Sequence, residues 1–75
     1  MGQTITQTFL VEGMHCASCG MLIDETLEDL DGVRSSATSL RAGRATVTFD
    51  PDRCTPADVV AAIGEAGYTA RTEQP

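Results

Sequence analysis

The sequence predicts an α+β fold: a four-stranded antiparallel sheet with two helices on one face, in the order β-α-β-β-α-β. Three observations predict it. Apolar residues alternate with period two at Phe9 and Val11 and again at Ala45, Val47 and Phe49, which marks strands. They recur with helical spacing at Ile23, Leu27 and Leu30 and at Val59, Val60 and Ile63. Turn residues punctuate these segments at Gly32, Gly43, Asp50-Pro51 and Gly67.

The first strand covers residues 4–11, with Ile5, Gln7, Phe9 and Val11 on one face and Gln7 weakening it. A helix over residues 17–30 follows, capped by Ser18 or Cys16, with Gly20 as a propensity weak point. Asp24, Glu25, Glu28, Asp29 and Asp31 are expected on its outer side. Gly32 suits the positive-φ position past the helix end, and Val33 the apolar contact that follows it. Residues 33–40 make a poor second strand, because Ser36 and Thr38 share a face on which only Leu40 is strongly apolar. Arg41-Ala42-Gly43-Arg44 is a hairpin loop, with Gly43 at positive φ. Residues 45–49 form a clearer strand. Thr55 then caps a second helix, with Pro56 in its first position, Asp58 at its positive end and Gly64 weakening it. Gly67 ends that helix, residues 68–71 form a short last strand, and residues 72–75 are expected to fray.

Right-handed crossovers make this order a ferredoxin-like sheet. The topology also makes a spatial prediction. Tyr68 should lie at the end where the first strand meets the first helix, and Cys54 at the opposite end.

Length and composition narrow the function. The 75 residues allow one domain over residues 1–75. Eleven acidic against five basic residues give a net charge of −6, which argues against nucleic acid and against an anionic membrane surface. No apolar run is long enough to span a bilayer, so no membrane insertion is expected. The first residues show no secretory signal, and a cytoplasmic, reducing setting is the expectation. In that setting a close cysteine pair points to metal or catalysis rather than to a structural disulfide. Three cysteines is an odd count, so at least one is unpaired in a monomer.

The chemistry concentrates at Gly13-Met14-His15-Cys16-Ala17-Ser18-Cys19. Cys16 and Cys19 sit at a strand-to-helix turn, where the helix N-terminus presents unpaired N–H groups and partial positive charge. A thiol in that position ionises below the free value of about 8.5. Two adjacent thiolates suit soft-metal binding or disulfide chemistry. Cu(I) accepts two or three thiolates whereas Zn²⁺ usually takes four ligands, so the donor count favours Cu(I). His15 lies between Met14 and Cys16 and is expected to point to solvent, because adjacent side chains on an extended loop diverge.

This stretch resembles the Gly-Met-x-Cys-x-x-Cys motif of heavy-metal-associated domains. These comprise small soluble copper chaperones and the N-terminal metal-binding domains of copper-transporting P-type ATPases. Ile23, Leu27, Leu30, Gly32-Val33, Leu40, Val47, Phe49-Asp50-Pro51, Ile63 and Gly67-Tyr68-Thr69-Ala70 also fall where that family has its core and turn residues. The resemblance implies that Cys16 and Cys19 bind Cu(I), that Met14 anchors the loop in the core, and that Tyr68 lies beside the site. It implies a non-enzymatic carrier whose partner is the metal-binding domain of a copper-transporting P-type ATPase. Ser36 and Thr38 depart from the aliphatic residues the family has there, which puts the second strand's stability in question.

Other readings compete. The chain could be an excised ATPase domain, and copper could bridge a homodimer through four sulfurs. A zinc, cadmium or mercury carrier is weakened by the missing carboxylate beside Cys16. A thiol oxidoreductase shares the CxxC at a helix start. It lacks the Trp-Cys-Gly-Pro-Cys surroundings, and Pro51 and Pro56 lie at the wrong end. Cys54 is expected to be a bystander thiol, too distant to join the pair. Met21 and Leu22 should supply at least one core contact and an apolar rim beside the cysteines.

Overall fold

The computed structural model describes residues 3–14 and 17–73. His15, Cys16, Gln74 and Pro75 lie outside the described residues. The elements are β1 (Ile5–Glu12), α1 (Ala17–Glu28), β2 (Val33–Ser39), β3 (Arg44–Phe49), α2 (Pro56–Glu65) and β4 (Thr69–Thr72). All strand pairings are antiparallel, and the sheet order β2-β3-β1-β4 puts β1 and β3 in the centre. The expected ferredoxin-like α+β architecture is present, with boundaries moved by one or two residues.

The core forms where the two periodicities meet. Phe9 and Val11 from β1 and Ala45, Val47 and Phe49 from β3 are buried, as the alternation requires. Ile23 and Leu27 from α1 and Val59, Ala62 and Ile63 from α2 close the same cluster. Leu30, Val33 and Val60 pack at its margin. The α1 stripe runs past the helix itself, because α1 ends at Glu28 and Leu30 sits in the turn that follows.

Local chemistry explains the element ends. Thr55 and Asp58 form a reciprocal capping box: Thr55 Oγ1 accepts the Asp58 N–H at 3.2 Å, and Asp58 Oδ2 accepts the Thr55 N–H at 3.0 Å. Pro56, without an N–H to satisfy, fills the first turn. Gly32 has φ +96, and a Cβ there would lie 2.9 Å from the Cβ atoms of both Arg53 and Cys54. That glycine lets the α1–β2 turn close against the loop before α2.

Three expectations are corrected. Ser18 lies inside α1 and so does not cap it. Residues 72 and 73 are held rather than frayed: Thr72 pairs with Phe9, the Glu73 N–H donates to the Thr8 carbonyl at 3.0 Å, and Glu73 meets Arg44 at 2.9 Å. Asp24 does not face outward. Ser36 Oγ donates to Asp24 Oδ1 at 2.7 Å, Thr38 Oγ1 donates to the same oxygen at 2.6 Å, and the Thr38 N–H reaches Oδ2 at 3.3 Å. This answers the question raised by polar residues on the inner side of β2. Hydrogen bonds to an ionised group contribute about 1.5–3 kcal/mol each, comparable to the burial of an aliphatic side chain. The strand is stable because its hydroxyls meet a carboxylate from the helix above.

Two glycines should respond oppositely to alanine. Gly32→Ala should destabilise by about 2 kcal/mol or more, since it combines positive φ with a steric clash. Gly64→Ala should stabilise by about 0.5–1 kcal/mol, because Gly64 lies in α2 with nothing within 4 Å of its missing Cβ. Urea denaturation of both variants checks the pair.

Candidate metal centre

Cys19 is in the first turn of α1 and is half-buried. Its partner in the motif, Cys16, lies outside the described residues, as does His15. The turn lies at the N-terminal end of α1. The N-terminal N–H groups of α1 converge there, and no acidic residue occupies the first turn to compete for them. The first carboxylate of the helix is Asp24, which is engaged by β2.

The loop between β1 and α1 is pinned from below. Met14 is half-buried and packs against the core, in the role expected of it. Gly13 has φ +99, and its missing Cβ would lie 3.5 Å from Tyr68 Cδ1. The Tyr68 ring therefore lies against the motif loop, at the end of the molecule the topology predicts, while also packing on the core. Its expected place beside the site is thus compatible with its packing on the core.

Met21 and Leu22 are both exposed, at 65% and 45%. The expectation that one of them packs inward is not met. Both therefore contribute to an apolar rim beside Cys19. Gly20 is buried instead, and a Cβ there would meet Thr38 Cγ2 at 3.5 Å. The start of α1 thus approaches β2 closely.

Cys54 takes no part in this end of the molecule. It lies before α2, against Gly32 at the far end of α1, as the topology predicts. It is more than a bystander, however. The side chain is 1% exposed and belongs to the core, with its Sγ donating to the Thr55 carbonyl at 3.6 Å. Burial, with the nearby carboxylates of Asp58 and Asp31, pushes its pKa above the ordinary value. The unfolded chain therefore loses this proton first, and the contribution to stability falls as pH rises past the ordinary cysteine pKa. In the native state Cys54 should resist an aromatic disulfide reagent that titrates Cys19 readily, and react fully only in denaturant. Timed thiol counting in both conditions checks this.

Comparison with known proteins places this arrangement. Residues 8–69 match the heavy-metal-associated domain model. The copper chaperone CopZ of Staphylococcus saprophyticus is 39% identical over 66 residues, covering 88% of this chain and 97% of that one. A zinc-transporting ATPase of Synechocystis is also 39% identical, over 64 residues, but the match covers only 9% of that protein against 85% of this chain. Among solved structures, the N-terminal domain of a potential copper-translocating P-type ATPase from Bacillus subtilis, determined in the Cu(I)-loaded state, superposes with a TM-score of 0.88 at 27% identity. That match covers 93% of this chain and 88% of the other. The motif, the fold built beneath it and a family match over most of the sequence agree: the chain belongs to the heavy-metal-associated domain family.

Proposed function

We propose that this chain is a cytoplasmic Cu(I) carrier that binds its cargo through Cys16 and Cys19. It delivers the ion to the metal-binding domain of a copper-transporting P-type ATPase. The observation that carries this reading is Cys19 in the first turn of α1, directly behind Gly-Met-x-Cys, at a helix end without carboxylates. A soft thiolate pair suits a soft monovalent ion, and the helix terminus offsets the accumulated negative charge.

Two thiolates leave the ion room for an incoming ligand. A partner thiolate adds first, and one of the original pair then leaves. Copper stays monovalent throughout, and each departing sulfur is replaced by an arriving one. Tight binding and fast transfer are compatible on this route, because the ion is never released to water. The chain acts as a carrier and catalyses no reaction.

The similarity to a zinc-transporting ATPase makes Zn²⁺ the competing cargo. Anaerobic titration of the reduced protein with Cu(I) and with Zn²⁺, against competing chelators, tests the reading. Cys16→Ser and Cys19→Ser should each lose on the order of a hundredfold or more in Cu(I) affinity, since a hard hydroxyl replaces half of a soft donor pair. Cys54→Ala should retain the affinity. Undiminished Cu(I) binding in either serine variant, or a preference for Zn²⁺, would overturn the assignment. Sizing chromatography with and without copper decides whether the ion bridges two copies.

The acidic flank of α1 is consistent with docking on a basic partner. Glu25, Glu28, Asp29 and Asp31 are exposed, and neither α1 nor α2 contains a lysine or arginine. Partner association should slow as ionic strength rises, by the screening of these charges. Stopped-flow association over a salt series measures it, and rates independent of salt would count against a basic partner.

A further inference from the structure

We infer that Asp24 is a positioning residue for the metal-binding turn: its hydrogen bonds to Ser36 and Thr38 clamp the first two turns of α1 to the edge strand β2. The second half of this inference, its effect on cargo release, rests on the carrier reading above.

The argument starts from what else could hold this end of the helix. The core grips α1 through Ile23 in its second turn and Leu27 in its third. Ahead of Ile23, Ser18, Met21 and Leu22 are exposed, and Cys19 is half-buried. Gly20 is the one residue there described as buried, and it has no side chain with which to grip. The start of the helix therefore lacks an apolar anchor of its own among the described residues.

Asp24, next to Ile23 in the second turn, adds a polar hold on the flank that faces β2. It stands four residues after Gly20, on the same line of the helix, so the two meet β2 together. Gly20 lets the backbone approach Thr38, with 3.5 Å from its Cβ position to Thr38 Cγ2. One turn later, Asp24 takes both hydroxyls at 2.7 and 2.6 Å and the Thr38 N–H at 3.3 Å. Three donors on one carboxylate, from two residues of one strand, fix both the height and the rotation of the helix. An apolar contact at this place would resist separation but would permit sliding. β2 is an edge strand, so without the carboxylate its N–H group and hydroxyls would turn to water. Cys19 immediately precedes Gly20, and so takes its position from this clamp.

The test compares Ser36→Ala/Thr38→Val, which removes both hydroxyl donors, with Thr38→Ser, which keeps both and trims only a methyl. Ile63→Val serves as a control for general loss of stability. Hydrogen exchange on the reduced, metal-free protein reads the amides of residues 21–24, whose intrahelical acceptors lie in the first turn. In the double variant these should exchange about tenfold faster relative to α2 amides. In Thr38→Ser and Ile63→Val that ratio should stay near wild type. The Cu(I)-loaded double variant should also lose metal to a chelator several-fold faster than Thr38→Ser. An unchanged ratio in the double variant, or acceleration spread evenly over both helices as in Ile63→Val, would overturn the clamp. Localised acceleration with unaltered copper release would overturn its role in holding cargo. Failure of wild type to bind Cu(I) would overturn the carrier reading, while the exchange data would still decide the clamp.

Discussion

Everything at the functional end of this molecule depends on how α1 is seated on the sheet. Ile23 and Leu27 share one buried cluster with Phe9, Val47 and Phe49, which fixes the second and third turns of α1 over the central strands. Aromatic residues are scarce, with two phenylalanines and one tyrosine in the chain. The two phenylalanines are both fully buried, one on each central strand. Because β1 runs into the motif loop and α1 runs out of it, immobilising both elements defines where Cys19 stands. The thiol itself can then remain half-exposed.

The seating uses two different kinds of force along one helix. The stripe of Ile23 and Leu27 is held by burial, which is strong but non-directional. The flank facing β2 is held by the carboxylate of Asp24, which is directional and needs no large side chain. That division frees Met21 and Leu22 to face solvent beside the cysteine. A helix anchored entirely by apolar residues would have had to turn at least one of them inward.

Much of this was legible in the residues. Period-two and period-3.6 patterns located β1, β3 and both helices, turn residues and chain order placed β2 and β4, and Gly32, Gly43 and Gly67 were found at positive φ as their turns require. The Thr55–Pro56–Asp58 signature gave the start of α2. What could not be read was the direction of individual polar side chains. Asp24 lies about 100° from Ile23 around the helix, on the flank between the apolar stripe and the acidic face. Periodicity assigns such a residue to neither side. The signal that would have placed it was on another element. Ser36 and Thr38 fall in the inward register of β2, paired with buried Val47 and Ala45, and inward hydroxyls call for an acceptor. Cys54 escaped for a related reason. Its place in the core comes from the loop before α2 folding under Gly32, a tertiary contact that no local pattern encodes.

The same reasoning separates the three cysteines, which look alike in composition. Cys54 is enclosed, surrounded by carboxylates and apolar residues, and kept protonated, so its thiol acts as a small core side chain. Cys19 is at a helix start from which carboxylates are excluded, where the backbone itself offers positive charge. Thiolate chemistry needs both access and an electropositive surrounding, and the fold provides these at one end of α1 while denying them at the other. The acidic residues that give the chain its net charge of −6 follow the same division. Glu25, Glu28, Asp29 and Asp31 begin only after the second turn, one turn or more from Cys19. Charge that would raise the cost of ionising the sulfur is thus displaced along the helix, and the first carboxylate encountered, Asp24, is already committed to β2.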